Sequence, residues 1–250
     1  QKLPSPILLD PIGVLEMVHP KADVAVAKAA ARLGLPYIFS NQASKPMEAC
    51  AQVMSESPRW FQLYWSKSNE LVQSFLHRAE QCGCKALVVT LDTTLLGWRA
   101  RDLDVAYLPF LEGKGIAQYT SDPVFQKLLD EPEETDQIKR PITLQSILGL
   151  ISMVNNYPGN GFFEKLKSGR PLKAVRKFVS IYSNPATTWD DLTFLRQSTK
   201  LPIILKGIVH ADDARKALDA GVDGIIVSNH GGRQTDGSIA TLDALPKIVE

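Results

Sequence analysis

The sequence predicts an α/β fold built on a parallel sheet, and two observations carry the prediction. Short apolar runs rich in β-branched residues alternate with longer amphipathic stretches, the pattern of repeated βα units. Most of the short runs are continuously apolar instead of alternating, as strands covered on both faces are.

The first strand candidate is Ile7–Leu9. Ala22–Leu33 follows as an Ala-rich helix with apolar residues at helical spacing, closed by Gly34-Leu35-Pro36. Tyr37–Ser40 and Trp60–Tyr64 are the next strands. After them Asn69–Cys82 carries Leu71, Val72, Phe75, Leu76 and Ala79 on one helical stripe. Ala86–Leu91 is the fourth strand. Ile203–Lys206 is the fifth, followed by a helix over Ala211–Ala220, with Asp212 and Asp213 at its N-terminus and Gly221 past its end. Gly224–Ser228 is the sixth strand and Thr241–Val249 the last helix. Periodicity alone leaves the closure of these six βα units open. They fit an open doubly wound sheet, or an eight-stranded barrel whose last two strands lie beyond Glu250.

Between Arg99 and about Arg176 the pattern changes. Tyr119-Thr120-Ser121-Asp122-Pro123 and Asp130-Glu131-Pro132-Glu133-Glu134 predict no strand and only fragments of helix. Leu108-Pro109-Phe110-Leu111 and Ile142–Val154 predict real packing. A connection this long inside a compact domain is usually a functional lid or disordered, and residues from about 100 to 176 read as a large, partly helical, lid-like insertion over the mouth of the barrel. A solvated insertion without a role is the competing reading.

Composition narrows the function classes. The 250 residues are 44% hydrophobic, with 28 basic and 27 acidic residues and a net charge of +1, so nothing points to nucleic acid or an anionic membrane. Cys50, Cys82 and Cys84 form neither a disulfide framework nor paired Cys-x-x-Cys motifs, and no His-Glu-x-x-His occurs, so no metal site is expected. Reduced thiols make the cytoplasm the default compartment. The segment Gln1 to Pro6 lacks the layout of a signal peptide, and a leader ahead of it is left open. No Gly-x-Gly-x-x-Gly loop follows the first strand, which disfavours a nucleotide-dependent Rossmann enzyme.

The segment richest in chemistry is Ser228-Asn229-His230-Gly231-Gly232-Arg233-Gln234, directly after the apolar run Gly224-Ile225-Ile226-Val227. That places it at the C-terminal end of a strand, where barrel enzymes keep catalytic residues. Its glycines allow tight bends and close approach to a ligand. His230 supplies a base that titrates near neutrality, and Arg233 a planar fork matched to a carboxylate. A lone histidine is more often structural, but this pairing in a Gly-rich loop favours function.

This loop resembles the hallmark loop of the FMN-dependent 2-hydroxy-acid oxidases and dehydrogenases. Pro11-Ile12-Gly13, Phe61-Gln62-Leu63-Tyr64, Thr90-Leu91-Asp92-Thr93, Leu96-Gly97-Trp98-Arg99 and Leu205-Lys206-Gly207 fall in that family's order. The resemblance implies a (β/α)8 barrel, with the chain a partial barrel domain of about six units and the long insertion after strand four. It implies FMN as cofactor, a small 2-hydroxy acid and O2 as reactants, and a homo-oligomeric parent. By resemblance, His230 removes the substrate hydroxyl proton while two electrons pass from the α-carbon to flavin N5, and Asp92 orients its imidazole. Arg233 and Arg99 clamp the carboxylate, and Tyr64 hydrogen-bonds the substrate. Lys206 lies beside flavin N1 and O2. Gln62 and Thr90 meet the pyrimidine edge, Pro11, Ile12 and Gly13 the N5 side, and Ser40 and Ser228 lie near the cofactor.

Within the family, Leu96–Asp104, Tyr107–Leu111, Tyr119–Phe125, Ser40–Ser44 and Gln62–Lys67 look most like the lactate 2-monooxygenases. That likeness implies L-lactate and O2 going to acetate, CO2 and water, with the insertion slowing product release. The alternative is an oxidase or dehydrogenase giving the 2-oxo acid. A reading of another class is an inactive fragment, because the family's Asp-Gly-Gly-x-Arg and Gly-Arg phosphate-binding segments do not occur in this sequence. Asp10, where relatives carry a small uncharged residue, is expected to point outward between strand and helix.

Overall fold

A computed structural model of the chain describes residues 5–132 and 143–250. The first four residues lie outside it, as do Glu133, Glu134 and Ile142 of the expected insertion. Five strands form one parallel sheet: β1 (Tyr37–Phe39), β2 (Arg59–Leu63), β3 (Leu87–Thr90), β4 (Ile203–Ile208) and β5 (Gly224–Val227). Each pairs with the next in sequence, so the order never reverses. A doubly wound sheet has a reversal at its switch point, and this one has none.

The helices are α1 (Ala22–Leu33), α2 (Met47–Met54), α3 (Asn69–Gln81), α4 (Ala100–Asp104), α5 (Ala117–Thr120), α6 (Pro123–Leu128), α7 (Leu144–Asn156), α8 (Phe162–Ser168), α9 (Arg170–Ile181), α10 (Leu192–Ser198), α11 (Ala211–Asp219) and α12 (Thr241–Val249). Among the described residues no helix is long and apolar enough to cross a membrane. All three cysteines are free and buried.

Two expectations need correction. Ile7–Leu9 forms no strand but a single parallel bridge between Leu9 and Tyr37. Pro6 and Pro11 flank the segment without N–H groups to extend a ladder, and the Ile7 N–H is taken by Ser5 Oγ at 3.0 Å. The insertion also holds more than fragments of helix, since α7 and α9 run 13 and 12 residues. The expected packing of Ile142–Val154 is confined, among its described residues, to the far end of α7. Val154 is buried there, whereas Leu144 and Leu148 are exposed.

Strand pleating divides the sheet into two faces. Every register pairs odd with odd or even with even numbers up to Lys206, as in Phe39 with Phe61, Leu87 with Ile203 and Ile204 with Gly224. The odd-numbered Tyr37, Phe39, Phe61, Leu63, Leu87, Val89, Ile203 and Leu205 enter the main hydrophobic core under the helices. Ile38, Gln62 and Val88, equally buried, lie on the opposite face.

The insertion is bolted to this core. Tyr119 of α5, fully buried, meets Phe75 of α3 and Phe178 of α9 edge to face, with centroids 5.1 and 4.8 Å apart. Beside it, Arg78 of α3 donates to Gln118 O at 2.7 Å, Ser121 Oγ at 2.8 Å and Asp122 Oδ2 at 3.0 Å, and pairs with Glu48 of α2 at 2.8 Å. Asp122 uses its other oxygen to cap α6 at the N–H groups of Val124 and Phe125. Gln118 in turn accepts from Met47 N–H at 3.1 Å and donates to Ser40 O at 3.3 Å.

Arg78→Met leaves the Asp122 carboxylate buried without its cation, and is expected to lower unfolding free energy by about 3–5 kcal/mol. Glu48→Gln, on the half-exposed side, should cost less than about 1 kcal/mol. Urea unfolding midpoints measure both, and equal small losses would rule out this pair as the anchor.

Candidate active site

The even-numbered face carries most of the residues that the sequence singled out. At the C-terminal ends of the strands it bears Ser40 after β1, Gln62 on β2, Tyr64 after it, Thr90 on β3, Asp92 after it, Lys206 on β4, and Ser228 and His230 after β5. Thr90 and Lys206 are direct register partners.

Four of these side chains form one connected cluster. Asp92 Oδ1 lies 2.7 Å from His230 Nδ1. Its Oδ2 accepts from Ser228 Oγ at 2.9 Å and sits 3.5 Å from Lys206 Nζ. Lys206 Nζ donates to Ser228 Oγ at 2.8 Å, and the His230 backbone N–H donates to the same oxygen at 3.1 Å. The Lys206 and Asp92 side chains are only 7% and 8% exposed, which is tolerable because each charge has a partner. Burial opposes ionisation of Asp92, but the hydrogen bond from His230 and the charge of Lys206 outweigh it and hold its carboxyl below the usual range.

Local backbone shapes this cluster. His230 lies in the left-handed region at φ 57°, followed by Gly231 and Gly232 at 65° and 69°, so the chain turns sharply as it leaves β5 and aims the imidazole back at Asp92. Such a conformation is costly for a residue with a Cβ and is held here by the surrounding contacts. At Gly207, φ 118°, a Cβ would stand 2.8 Å from Asp92 N and 2.9 Å from Asp92 Cβ. The glycine lets β4 pass close enough for Lys206 to reach Asp92.

Arg99 and Arg233 come from different loops. Gln234 ties them together, accepting from Arg99 Nη2 and Gly97 N–H at 3.2 Å each and donating to Leu95 O at 2.7 Å. Burial, and then the neighbouring charge of Arg233, push the Arg99 guanidinium down. Its Nε is buried with no partner, an arrangement that an anion would relieve. Burial pushes the Tyr64 phenol up, reinforced by Asp92 and opposed by Thr93 and Arg99.

On the opposite side of the mouth, Gln62 Oε1 accepts from Asn41 N–H at 3.0 Å and from Ser40 Oγ at 3.4 Å. Gln62 Nε2 and Thr90 Oγ1 are buried and have no partner, although buried polar groups normally do. Pro11, Ile12 and Gly13 lie at the rim, Ile12 being 56% exposed. Gly13 packs beside Gln42, and no hydrogen bond joins this segment to the His230 cluster.

Sequence reasoning missed several residues. Thr93 Oγ1 lies 2.8 Å from His230 Nδ1 and 3.2 Å from Asp92 Oδ1, and its adjacency to Asp92 was the available signal. Asn41 accepts from Tyr64 N–H at 3.1 Å and from Tyr119 OH at 3.2 Å, which no local pattern announces. Asp10, expected to point outward between strand and helix, is exposed.

The family model for FMN-dependent dehydrogenases matches residues 1–250. The chain is 39% identical to an FMN-dependent alpha-hydroxy acid dehydrogenase of Penicillium citrinum over 250 residues, covering 100% of this chain and 54% of that protein. It is 37% identical to an L-lactate oxidase of Lysinibacillus sphaericus over 246 residues, covering 98% of this chain and 54% of the relative. Its fold superposes on crystalline mandelate oxidase with (S)-2-phenylpropionate at TM-score 0.69 and 29% identity, covering 100% of this chain and 55% of that one. The chain thus spans about half the length of the curated relatives it matches. With its full length inside the family model, the chain belongs to the FMN-dependent dehydrogenase family of 2-hydroxy-acid-oxidising oxidoreductases.

Proposed function

We propose that the site serves FMN-dependent oxidation of a short L-2-hydroxy acid, L-lactate first, to the 2-oxo acid. The observation that carries the reading is the buried Asp92–His230 pair at 2.7 Å with Lys206 beside it, at the strand ends of a parallel sheet. The unreversed strand order supports reading the sheet as a sector of an eight-stranded barrel.

The residues present fit the cofactor. Gln62 Nε2 and Thr90 Oγ1 are orphaned donors, suited to the carbonyl-rich pyrimidine edge of an isoalloxazine. Lys206 supplies a fixed cation for charge that develops at that edge. When bound, FMN accepts the two electrons removed from the substrate's α-carbon. Arg99 and Arg233 hold the substrate carboxylate and so fix the α-carbon. Asp92 accepts a hydrogen bond from His230 Nδ1–H, which leaves Nε2 free to remove the hydroxyl proton and stabilises the imidazolium that forms. Tyr64, whose phenol burial pushes further up and so keeps protonated, donates a hydrogen bond to the substrate.

Among the relatives, L-lactate oxidase and L-lactate dehydrogenase favour the 2-oxo acid as product, and none of them supports decarboxylation to acetate. We therefore prefer the oxidase or dehydrogenase outcome to the monooxygenase outcome that the likeness of the insertion implies. Acetate without free peroxide would reverse that preference.

The decisive experiment is a visible spectrum of the chain with FMN, before and after anaerobic L-lactate. Bleaching of the flavin band is expected, and a bound flavin that no 2-hydroxy acid reduces would sink the reading. His230→Gln should slow that reduction by about 10²–10⁴-fold with flavin still bound, and near-normal reduction would remove His230 as the base. Arg233→Met should weaken apparent lactate affinity by about tenfold to a hundredfold, and unchanged affinity would refute the clamp.

A further inference from the structure

We propose that Asn41 is a positioning residue for Tyr64, and that the hydroxyl of Tyr119, from the insertion, sets it in place. The inference rests on the reading above that Tyr64 hydrogen-bonds the substrate. Asn41 follows β1 and is fully buried. Its Oδ1 accepts from Tyr64 N–H at 3.1 Å and from Tyr119 OH at 3.2 Å, and its own N–H donates to Gln62 Oε1 at 3.0 Å. A backbone N–H can only donate, so Tyr64 fixes which end of the Asn41 amide faces it. β1 stops at Phe39 and β2 at Leu63. Past the ladder, a side chain in place of a strand carbonyl holds the Tyr64 backbone, and with it the direction of the Tyr64 phenol.

The insertion supplies the fixed point. The Tyr119 ring meets Phe75, Phe125 and Phe178 edge to face, with centroids 5.1, 5.5 and 4.8 Å away. Phe178 lies on α9, and at the end of that helix Ile181 O accepts from Ser66 Oγ at 2.7 Å and from Lys67 N–H at 3.0 Å. The segment after β2 is therefore held from two points of the insertion, with Tyr64 gripped through Asn41. Asn41 Nδ2 is buried without a partner among the described residues, a cost that an apolar side chain would avoid. Packing alone does not account for this amide, whereas the bond to Tyr64 does.

Tyr119→Phe removes the hydroxyl and keeps the three ring contacts, and Asn41→Leu removes the acceptor while leaving a side chain of similar size. In the FMN-loaded chain, anaerobic reduction by L-lactate separates apparent lactate affinity from the limiting rate. Tyr119→Phe should weaken the affinity about threefold to tenfold and Asn41→Leu about tenfold, with limiting rates within about twofold of wild type. Because Tyr119 acts through Asn41, adding Tyr119→Phe to Asn41→Leu should change nothing further. In the cofactor-free chain, amide hydrogen exchange at Tyr64 should quicken about tenfold in Asn41→Leu. Unchanged lactate affinity in Tyr119→Phe, additive losses in the double variant, or a Tyr64 amide indifferent to Asn41→Leu overturns the proposal. A chain that takes up no FMN, or whose flavin no 2-hydroxy acid reduces, counts against the flavin reading, and the Tyr64 exchange still decides Asn41.

Discussion

The structure turns on one buried carboxylate. Asp92 follows β3, and its two oxygens meet His230 and Ser228 from the loop after β5 and Lys206 from β4. A charge this deep is stable only while its partners stay in place. Three strand ends are therefore locked to one another by the group that orients the base in the proposed reaction. The need for close approach is written into β4 as Gly207 and into the β5 loop as the left-handed run from His230 to Gly232. Stability and chemistry draw here on the same contacts, so variants of Asp92 would disturb both.

A second buried network joins the insertion to the other side of the mouth. Arg78 holds α5 and α6 against α3, and from α5 Gln118 and Tyr119 reach Ser40 and Asn41, which in turn hold Gln62 and Tyr64. The α5 stretch of the insertion thus packs against the residues that hold Gln62 and Tyr64, and a freely hinged lid over that stretch is incompatible with a fully buried Tyr119. Leu103, Val105 and Leu111 before it, and Leu144, Ile147 and Leu148 on α7, are exposed.

Most of the fold was legible because parallel strands leave a coarse signal. Continuously apolar runs located β1 to β5 to within two residues at either end, and α1 and α12 fall where their periodicity and flanking residues put them. Ile7–Leu9 failed because hydrophobicity reports burial, whereas a strand also needs backbone partners, and prolines remove them. The lengths of α7 and α9 were lost behind the neighbouring charged and Pro-containing residues. In the site, His230, Asp92, Lys206 and Ser228 were legible as motifs, and the structure brings them into contact. Thr93, Asn41 and Gln118 were not, because their roles come from register and from contacts across up to 137 residues of sequence.

The electrostatics of the site make sense only with anions in view. Lys206 and Asp92 balance each other, but Arg99 and Arg233 repel, and Arg99 Nε, Gln62 Nε2 and Thr90 Oγ1 are buried without partners. A fold optimised for stability alone would pair or remove such groups. Under the proposed function, a carboxylate at the arginines, and ring carbonyls at Gln62 and Thr90, would meet donors already oriented and already stripped of water. Little reorganisation is then left for the moment of proton transfer, which is where preorganised charge lowers a barrier most. The buried donors that stability alone would pair or remove are thus the ones that the proposed 2-hydroxy-acid oxidation would use.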